Sequence, residues 1–223
     1  MSTPDTHGSD LPKTRWELAG EGNRGYGTKF ARLVEEGADV DGEARLADVL
    51  VGRGARILDI GSGMGRVAAA LQARGHAVTA VEPDPALVEQ SRRTYPDLAV
   101  VHADVLDVAP ADLGADYDLV VLVGNVMVFL APDTEREVLR RVRTVLAPGG
   151  RALVGFHPVD GPATARAYSP DDFVADVTAC GLRVDLRAGS YELHPPADDY
   201  TVWVLSRDED APAPTSFGHA LQG

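Results

Sequence analysis

The sequence predicts a doubly wound α/β fold, in which seven strands form a mostly parallel sheet with helices on both faces. Three observations predict it. Strand patterns alternate with helical patterns from residue 55 onward. The run 119–123 is apolar at every position, as in central parallel strands that helices cover on both sides. Only a loop separates the last two strand patterns, so we expect the final strand to run antiparallel to its neighbours.

The bounds of the chain's parts follow from its periodicity. The 223 residues, 44% of them hydrophobic, suffice for one domain, which we place at 13–206. Segments 1–12 and 207–223 lack periodicity and have the composition of disordered tails. Residues 13–50 form a short N-terminal helical cover, and residues 55–205 form the sheet core.

Each element has its own signal. In the cover we predict helices at 25–36 and 43–50, the second capped by Asp41. Strands are predicted at 55–60, 77–82, 98–102, 117–123, 151–156, 182–187 and 201–205. Helices are predicted at 66–74, 85–94, 134–146 and 170–179, and Pro148-Gly149-Gly150 is read as a turn.

Composition excludes several classes of function. The net charge of −13 and the absence of a basic cluster around Lys13 or Lys29 disfavour nucleic acid, so a small-molecule substrate is predicted. No apolar run approaches the roughly 20 residues of a membrane helix, and the polar start is unlike a secretory signal. We therefore expect a cytoplasmic protein with no membrane partner. The single cysteine, Cys180, allows no internal disulfide, and no metal site is predicted.

A glycine-rich turn joins the first strand of the core to its first helix. It runs from Asp59 through Gly61, Ser62 and Gly63 to Gly65. Glycine permits positive φ and close approach of the backbone to a ligand, and a helix that opens there offers free N–H groups. In open parallel sheets this turn lies at the ligand-binding edge. The turn therefore predicts a nucleoside site.

Acidic residues close the next two strands at the same edge. Glu82 ends the second strand, where a carboxylate can accept hydrogen bonds from both ribose hydroxyls. Asp104 follows the third strand and could accept from an exocyclic amine, with Val105 against the purine. Three strand ends are thus predicted to converge on one nucleoside.

The spacing of the glycines discriminates between cofactors. Here it is G-x-G-x-G, with Arg66 next, whereas the dinucleotide fingerprint is G-x-G-x-x-G/A. The G-K-[ST] ending of a phosphate-binding P-loop is missing too. An NAD-dependent oxidoreductase remains the alternative, since Glu82 would serve it equally well.

The chain resembles the class I S-adenosylmethionine-dependent methyltransferases, which have a Rossmann-like sheet. The segments that carry the resemblance are Asp59 to Gly65, Glu82-Pro83-Asp84, Asp104-Val105, Asp118-Leu119-Val120 and Leu146-Ala147-Pro148-Gly149-Gly150. Gly42 to Leu46 and Gly124 to Leu130 look closest to small bacterial members of undefined substrate. The resemblance implies S-adenosylmethionine as the cofactor and S-adenosylhomocysteine as its product.

The resemblance also implies roles for single residues. Gly61 and Gly63 would hold the methionine part, Glu82 the ribose, and Asp104 with Val105 the adenine. Asp59 would orient the turn or meet the methionine ammonium group. The cofactor-binding residues so implied are Asp59, Gly61, Ser62, Gly63, Gly65, Glu82, Pro83, Asp104, Val105, Gly124, Asn125 and Tyr26, the last as a lid.

The acceptor side has fewer signals. Methyl transfer needs alignment more than a dedicated nucleophile, and a base only where the acceptor must lose a proton. His157 follows the fifth strand and is the candidate base, while Asn125, Tyr191 and His194 are candidates for the acceptor pocket. The predicted function is methylation of oxygen, nitrogen or carbon on a small molecule, with a non-catalytic S-adenosylmethionine-binding module as a further alternative.

Overall fold

The computed structural model describes residues 11–23, 25–159, 161 and 164–209. Its N-terminal part comprises α1 (Arg15–Ala19), a 3-10 turn (Gly20–Asn23), α2 (Tyr26–Glu35) and α3 (Gly42–Val49). The core follows as β1 (Arg56–Ile60), α4 (Arg66–Ala73), β2 (Ala77–Glu82), α5 (Pro85–Thr94), β3 (Val100–His102), α6 (Pro110–Leu113), β4 (Tyr117–Leu122), α7 (Val126–Phe129), α8 (Glu135–Val145), β5 (Leu146–Phe156), α9 (Pro170–Ala179), β6 (Leu182–Ala188) and β7 (Thr201–Arg207). No helix among the described residues is long and apolar enough to span a membrane.

The seven strands form one sheet in the order β3-β2-β1-β4-β5-β7-β6. The pairs among β1 to β5 are parallel, whereas β7 runs antiparallel to both β5 and β6. This confirms the predicted fold class and the reversed last strand. The chain moves outward from β1 to β3 and then crosses to β4 on the other side of β1. The carboxyl ends of β1 and β4 therefore flank the crevice in which such sheets bind ligands.

Alternate residues of the central strands enter two different apolar layers. Leu58 and Val120 lie in one buried cluster with residues of α8 and α9. Ile57 and Leu119 lie in the other, which includes residues of α3 and α4. All four side chains are 0% exposed. Burial on both faces explains the continuous apolar runs in the sequence and fixes the strand ends rigidly.

Several boundaries differ from those predicted. The short helices α1, α6 and α7 were not predicted, because elements of one turn have too few residues to show a period. Asp41 occupies the N-cap position of α3 but makes no side-chain cap, and its carboxylate lies 3.5 Å from Arg74 instead. Strand β7 extends to Arg207, and the Asp208 N–H donates to the Gly181 carbonyl at 3.1 Å. Residues 207–209 thus continue the fold, while the other tail residues, 1–10 and 210–223, lie outside the described residues.

The predicted turn at 148–150 is instead an irregularity inside β5. Tyr117 pairs with Leu146 and Leu119 pairs with Arg151, so the residues between them bulge out of the ladder. A Cβ on Gly150 would lie 2.6 Å from the Tyr117 carbonyl oxygen. The sequence signal for a break was correct, but pairing with β4 continues on both sides of it.

Candidate active site

A cleft of about 1000 Å³, counting the part open to solvent, lies at the carboxyl ends of β1, β2 and β4. We call it the main cleft. All the predicted cofactor-binding residues except Gly65 and Asn125 line it, namely Asp59, Gly61, Ser62, Gly63, Glu82, Pro83, Asp104, Val105, Gly124 and Tyr26. The structure thus brings together residues from four strand ends and the N-terminal cover.

The three glycines of the turn have positive φ angles of 67°, 59° and 82° at Gly61, Gly63 and Gly65. A Cβ on Gly61 would lie 2.7 Å from a methyl group of Val126, so this glycine allows α7 to approach the turn. A Cβ on Gly65 would lie 2.5 Å from Leu98. Gly65 therefore serves the packing of α4 rather than the lining of the cleft.

Three N–H groups of the turn that were expected to face a ligand donate within the protein instead. Those of Gly61 and Ser62 donate to the Val81 carbonyl at 2.9 and 3.1 Å. That of Gly63 donates to Glu82 Oε2 at 2.8 Å. These bonds fix the turn on the end of β2. Because these N–H groups are occupied, the lining offers a ligand mainly side-chain carboxyl groups, which accept hydrogen bonds. The cleft therefore favours a ligand that donates them.

Glu82 links the turn to the start of α5. Its side chain is buried, and Oε1 accepts from the Asp84 N–H at 2.8 Å. Burial raises the pKa of Glu82 to about 7, although the bonds from Asp84 and Gly63 favour the ionised form. Each carboxylate oxygen can accept a further hydrogen bond, so two adjacent hydroxyl groups could bind to it.

Asp59 is the next-to-last residue of β1 and is 2% exposed. Its carboxylate accepts from the Ala68 N–H in the first turn of α4, and burial raises its pKa to about 7 against the opposing charge of Arg66. The atoms Asp59 Oδ2 and Ser62 Oγ are buried and have no hydrogen-bond partner among the described residues. Since an unpartnered buried polar atom is destabilising, both fit a ligand that brings donors into the cleft.

The positive charge of Arg66 is largely matched by the N-terminal cover. Its guanidinium group binds both carboxylate oxygens of Glu43, at 2.8 and 2.5 Å, and stacks 5.3 Å from the centre of the Phe30 ring. Asp104, whose pKa is raised by burial, adds a third carboxyl group to the cleft lining. The balance of charge therefore suits a cationic ligand such as a sulfonium or ammonium group.

Aromatic side chains form one wall of the main cleft. Trp16 meets Tyr26 and Phe129 edge to face, with ring centres 5.3 and 5.4 Å apart. The Trp16 indole N–H donates to Asp84 Oδ2 at 2.6 Å, which ties α1 to the end of β2. Sequence reasoning found Tyr26 but missed Trp16. The signal that could have found it is the capping box of Thr14 and Glu17, which starts α1.

The backbone of His157 is hydrogen-bonded to the side chain of Asn125. The Asn125 side-chain oxygen accepts from the His157 N–H at 2.8 Å, and Asn125 itself has a φ of 78°. The His157 ring contacts the Asp199 carbonyl oxygen and packs edge to face on Tyr200 at 4.8 Å. The imidazole is not among the groups that line the main cleft. Its contacts support a role in ordering the strand ends.

Tyr191 and His194 also lie away from the main cleft. The hydroxyl groups of Tyr191 and Tyr200 are 2.7 Å apart and lie over Gly155, where a Cβ would be 2.1 Å from the Tyr191 oxygen. Burial raises the pKa of both tyrosines, so both keep their hydroxyl protons, and either can donate in this bond. His194 is exposed, and its Nδ1 lies 2.8 Å from the Ser190 hydroxyl.

A second cavity of about 740 Å³, again counting open space, adjoins the main cleft. We call it the side cavity. Its lining residues are Trp16, Gly22, Asn23, Gly25, Tyr26, Lys29, Gly124, Asn125 and Phe129. Trp16, Tyr26, Gly124 and Phe129 line both spaces, so the two share a wall. Asn125, predicted for the acceptor side, lies here.

Comparison with known proteins identifies the family. Residues 57–150 match a family model described as a methyltransferase domain. A TehB-like S-adenosylmethionine-dependent methyltransferase from Corynebacterium glutamicum is 31% identical, with a TM-score of 0.73, and the alignment covers 83% of this chain and 98% of that one. No curated protein sequence matches.

Two further solved structures share the fold at lower identity. The CcbJ methyltransferase from Streptomyces caelestis is 18% identical, with a TM-score of 0.66 and coverage of 74% of this chain and 88% of that one. The 1,6-didemethyltoxoflavin-N1-methyltransferase from Burkholderia thailandensis is 21% identical, with a TM-score of 0.58 and coverage of 92% and 98%. The first of these three relatives carries the family assignment because of its identity and coverage. The chain therefore belongs to the class I S-adenosylmethionine-dependent methyltransferases, which use S-adenosylmethionine as methyl donor.

Proposed function

We propose that the chain binds S-adenosylmethionine in the main cleft and transfers its methyl group to a small molecule. The observation that carries this proposal is the convergence of Asp59, Glu82 and Asp104 on one cavity beside the glycine turn. Three carboxyl groups, one of them with the unpartnered Asp59 Oδ2, and the unpartnered Ser62 hydroxyl oxygen make the lining rich in acceptors. S-adenosylmethionine brings matching donors: an ammonium group, two ribose hydroxyls and an adenine amine.

Each carboxyl group suits one part of this ligand. Glu82 has a free lone pair on each oxygen after its backbone bonds, which matches a pair of ribose hydroxyls. Asp59 offers its unpartnered Oδ2 to the ammonium group. Asp104 would accept from the adenine amine, and the buried Val105 beside it would pack on the purine face.

The chain contributes to the reaction by alignment and by excluding water. When bound, S-adenosylmethionine supplies an electrophilic methyl group on a positively charged sulfur. Trp16, Tyr26 and Phe129 cover the space between the main cleft and the side cavity, which lowers the local polarity. A displacement that disperses a positive charge is favoured in such surroundings.

A small acceptor is supported by the position of the side cavity, which shares Trp16, Tyr26, Gly124 and Phe129 with the main cleft. The solved structure from Burkholderia thailandensis contained the small molecule 1,6-didemethyltoxoflavin together with S-adenosylhomocysteine. The cover of α1 and α2 places both spaces under the same aromatic side chains.

Calorimetric titration with S-adenosylmethionine and S-adenosylhomocysteine tests the proposal. Glu82→Gln places an amide N–H against the Gly63 or Asp84 N–H, so both ligands should bind at least about tenfold more weakly. The matched control is Glu89→Gln, an exposed position on α5 that should leave both affinities unchanged. Equal effects of the two substitutions would contradict the assigned role of Glu82.

Two other outcomes would favour the alternative functions. Saturable binding of NADH that S-adenosylmethionine does not displace would support an oxidoreductase. Binding of S-adenosylmethionine without any transfer of label from its methyl group to pooled metabolites would support a non-catalytic module. Labelled product would identify the acceptor directly.

A further inference from the structure

The lining of the side cavity contrasts with that of the main cleft in charge. The main cleft contains three carboxyl groups, whereas the described residues of the side cavity include no carboxylate and one cationic side chain, Lys29. Lys29 is one of only two lysines in a chain of net charge −13. Among the described residues, its ammonium group makes no ion pair or side-chain hydrogen bond. A cation in this position attracts an anionic group.

The remaining walls favour a flat ring. Trp16, Tyr26 and Phe129 line the side cavity, and Trp16 meets each of the other two rings edge to face. Asn23 and Asn125 supply side-chain amides. The Asn23 amide N–H donates to the Trp16 carbonyl at 2.6 Å, which fixes that wall. Aromatic walls prefer planar rings, which stack or meet them edge to face.

The described lining of the side cavity also lacks a general base. It contains no histidine and no carboxylate, and the His157 imidazole is engaged with Asp199 and Tyr200. An acceptor that is already ionised needs no base. Its oxygen lone pair forms the new O–CH3 bond, the electrons of the broken carbon–sulfur bond remain on sulfur, and no proton must be removed.

We propose that the side cavity binds a small planar aromatic anion as methyl acceptor, with Lys29 as the residue that selects for its negative charge. The inference rests on the proposed function, since the acceptor must lie next to the methyl donor. The ammonium group of Lys29 forms an ion pair with a carboxylate or ionised hydroxyl on the ring, and Trp16, Tyr26 and Phe129 pack against the ring itself.

The test compares three ligands of similar shape on the full chain loaded with S-adenosylhomocysteine. The probes are 2-naphthoate, its neutral amide, and the saturated decahydro-2-naphthoate, each titrated by calorimetry. We expect 2-naphthoate to bind at least about fivefold more tightly than either of the others, the preference that a partly exposed ion pair or a ring contact supports. In Lys29→Gln the preference over the amide should disappear.

The control variant is Lys13→Gln, which removes the charge of the other exposed lysine and should keep the preference. Lys29→Gln should bind S-adenosylhomocysteine with unchanged affinity and melt at the same temperature, which excludes a folding defect. Equal binding of acid and amide, a preference that survives in Lys29→Gln, or no binding of 2-naphthoate would each overturn the inference. Failure of the unmodified chain to bind S-adenosylhomocysteine would instead overturn the proposed function beneath it.

Discussion

Replacing the buried Asp59 by asparagine should remove the destabilising effect of its charge on the folded protein and, with it, the attraction of that charge for a ligand. The carboxyl group is 2% exposed, and burial raises its pKa from 3.8 to about 7. The folded state therefore keeps its proton at pH values where the unfolded chain has lost it. The stability that this proton contributes is complete below pH 3.8 and is lost as the pH rises through 7.

The size of the effect follows from the shift. A rise from 3.8 to about 7 corresponds to about 4 kcal/mol in the free energy of unfolding, of which about 3 kcal/mol falls between pH 5 and pH 8. Asp59→Asn cannot ionise. The stability difference between the variant and the unchanged protein should therefore shift by about 3 kcal/mol in favour of the variant over that range.

The assay is urea unfolding of both ligand-free proteins at pH 5, 6, 7 and 8. Comparing the two proteins at each pH removes the part of the Glu82 titration that is common to both. Any constant cost of the amide, such as an unpartnered N–H at the position of Oδ2, cancels in the slope as well. A stability difference that stays constant from pH 5 to pH 8 would refute the reasoning.

The same substitution should weaken ligand binding at high pH, where it stabilises the fold. An ionised Asp59 attracts the ammonium group of S-adenosylhomocysteine, and at pH 6 only about a tenth of a group with pKa 7 is ionised. The affinity of the unchanged protein should thus be about tenfold lower at pH 6 than at pH 8. Asp59→Asn should bind more weakly at pH 8 and depend less on pH.

Two further predictions concern the packing around the site. Gly61→Ala places a methyl group 2.7 Å from Val126 at a φ of 67° and should destabilise the chain by about 2 kcal/mol or more in thermal unfolding. The control is Gly37→Ala, which has a similar φ but open space around it and so measures the backbone strain alone. Equal losses of stability in the two variants would contradict the clash. Buried Glu135 pairs with two arginines at 2.9 and 3.0 Å, so Glu135→Gln should cost about 3 kcal/mol in urea unfolding, while the exposed Glu137→Gln should cost little.

The acidic strand end at Glu82 and the glycine turn could both be predicted from the sequence because their signals are local. A strand that is buried on both faces must be apolar, so an acidic residue at its end, such as Glu82, is conspicuous. The G-x-G-x-G spacing is equally local, because positive φ at three positions of a short turn requires glycine. Since parallel strands end at one edge, these residues had to converge.

Contacts between distant segments could not be predicted in this way. The amides of the glycine turn donate to β2 rather than to a ligand, which depends on the register between β1 and β2. His157 follows β5 at the expected edge, yet its ring is held by Asp199 and Tyr200, which directly precede the neighbouring strand β7. A residue's position along a strand fixes the edge at which it lies, but its neighbours decide where its side chain points.

The sequence by itself determined the order of the seven strands along the chain and the edge of the sheet at which the glycine turn and the acidic strand ends meet, because periodicity, glycine and charge act over a few residues. Only the tertiary structure decided which side chains cover that site. The wall of Trp16, Tyr26 and Phe129 joins three elements, two from the N-terminal part and one from the middle of the sequence, and Lys29 lines the same cavity. Packing against partners far along the chain is a property of the folded whole, and no local pattern encodes it.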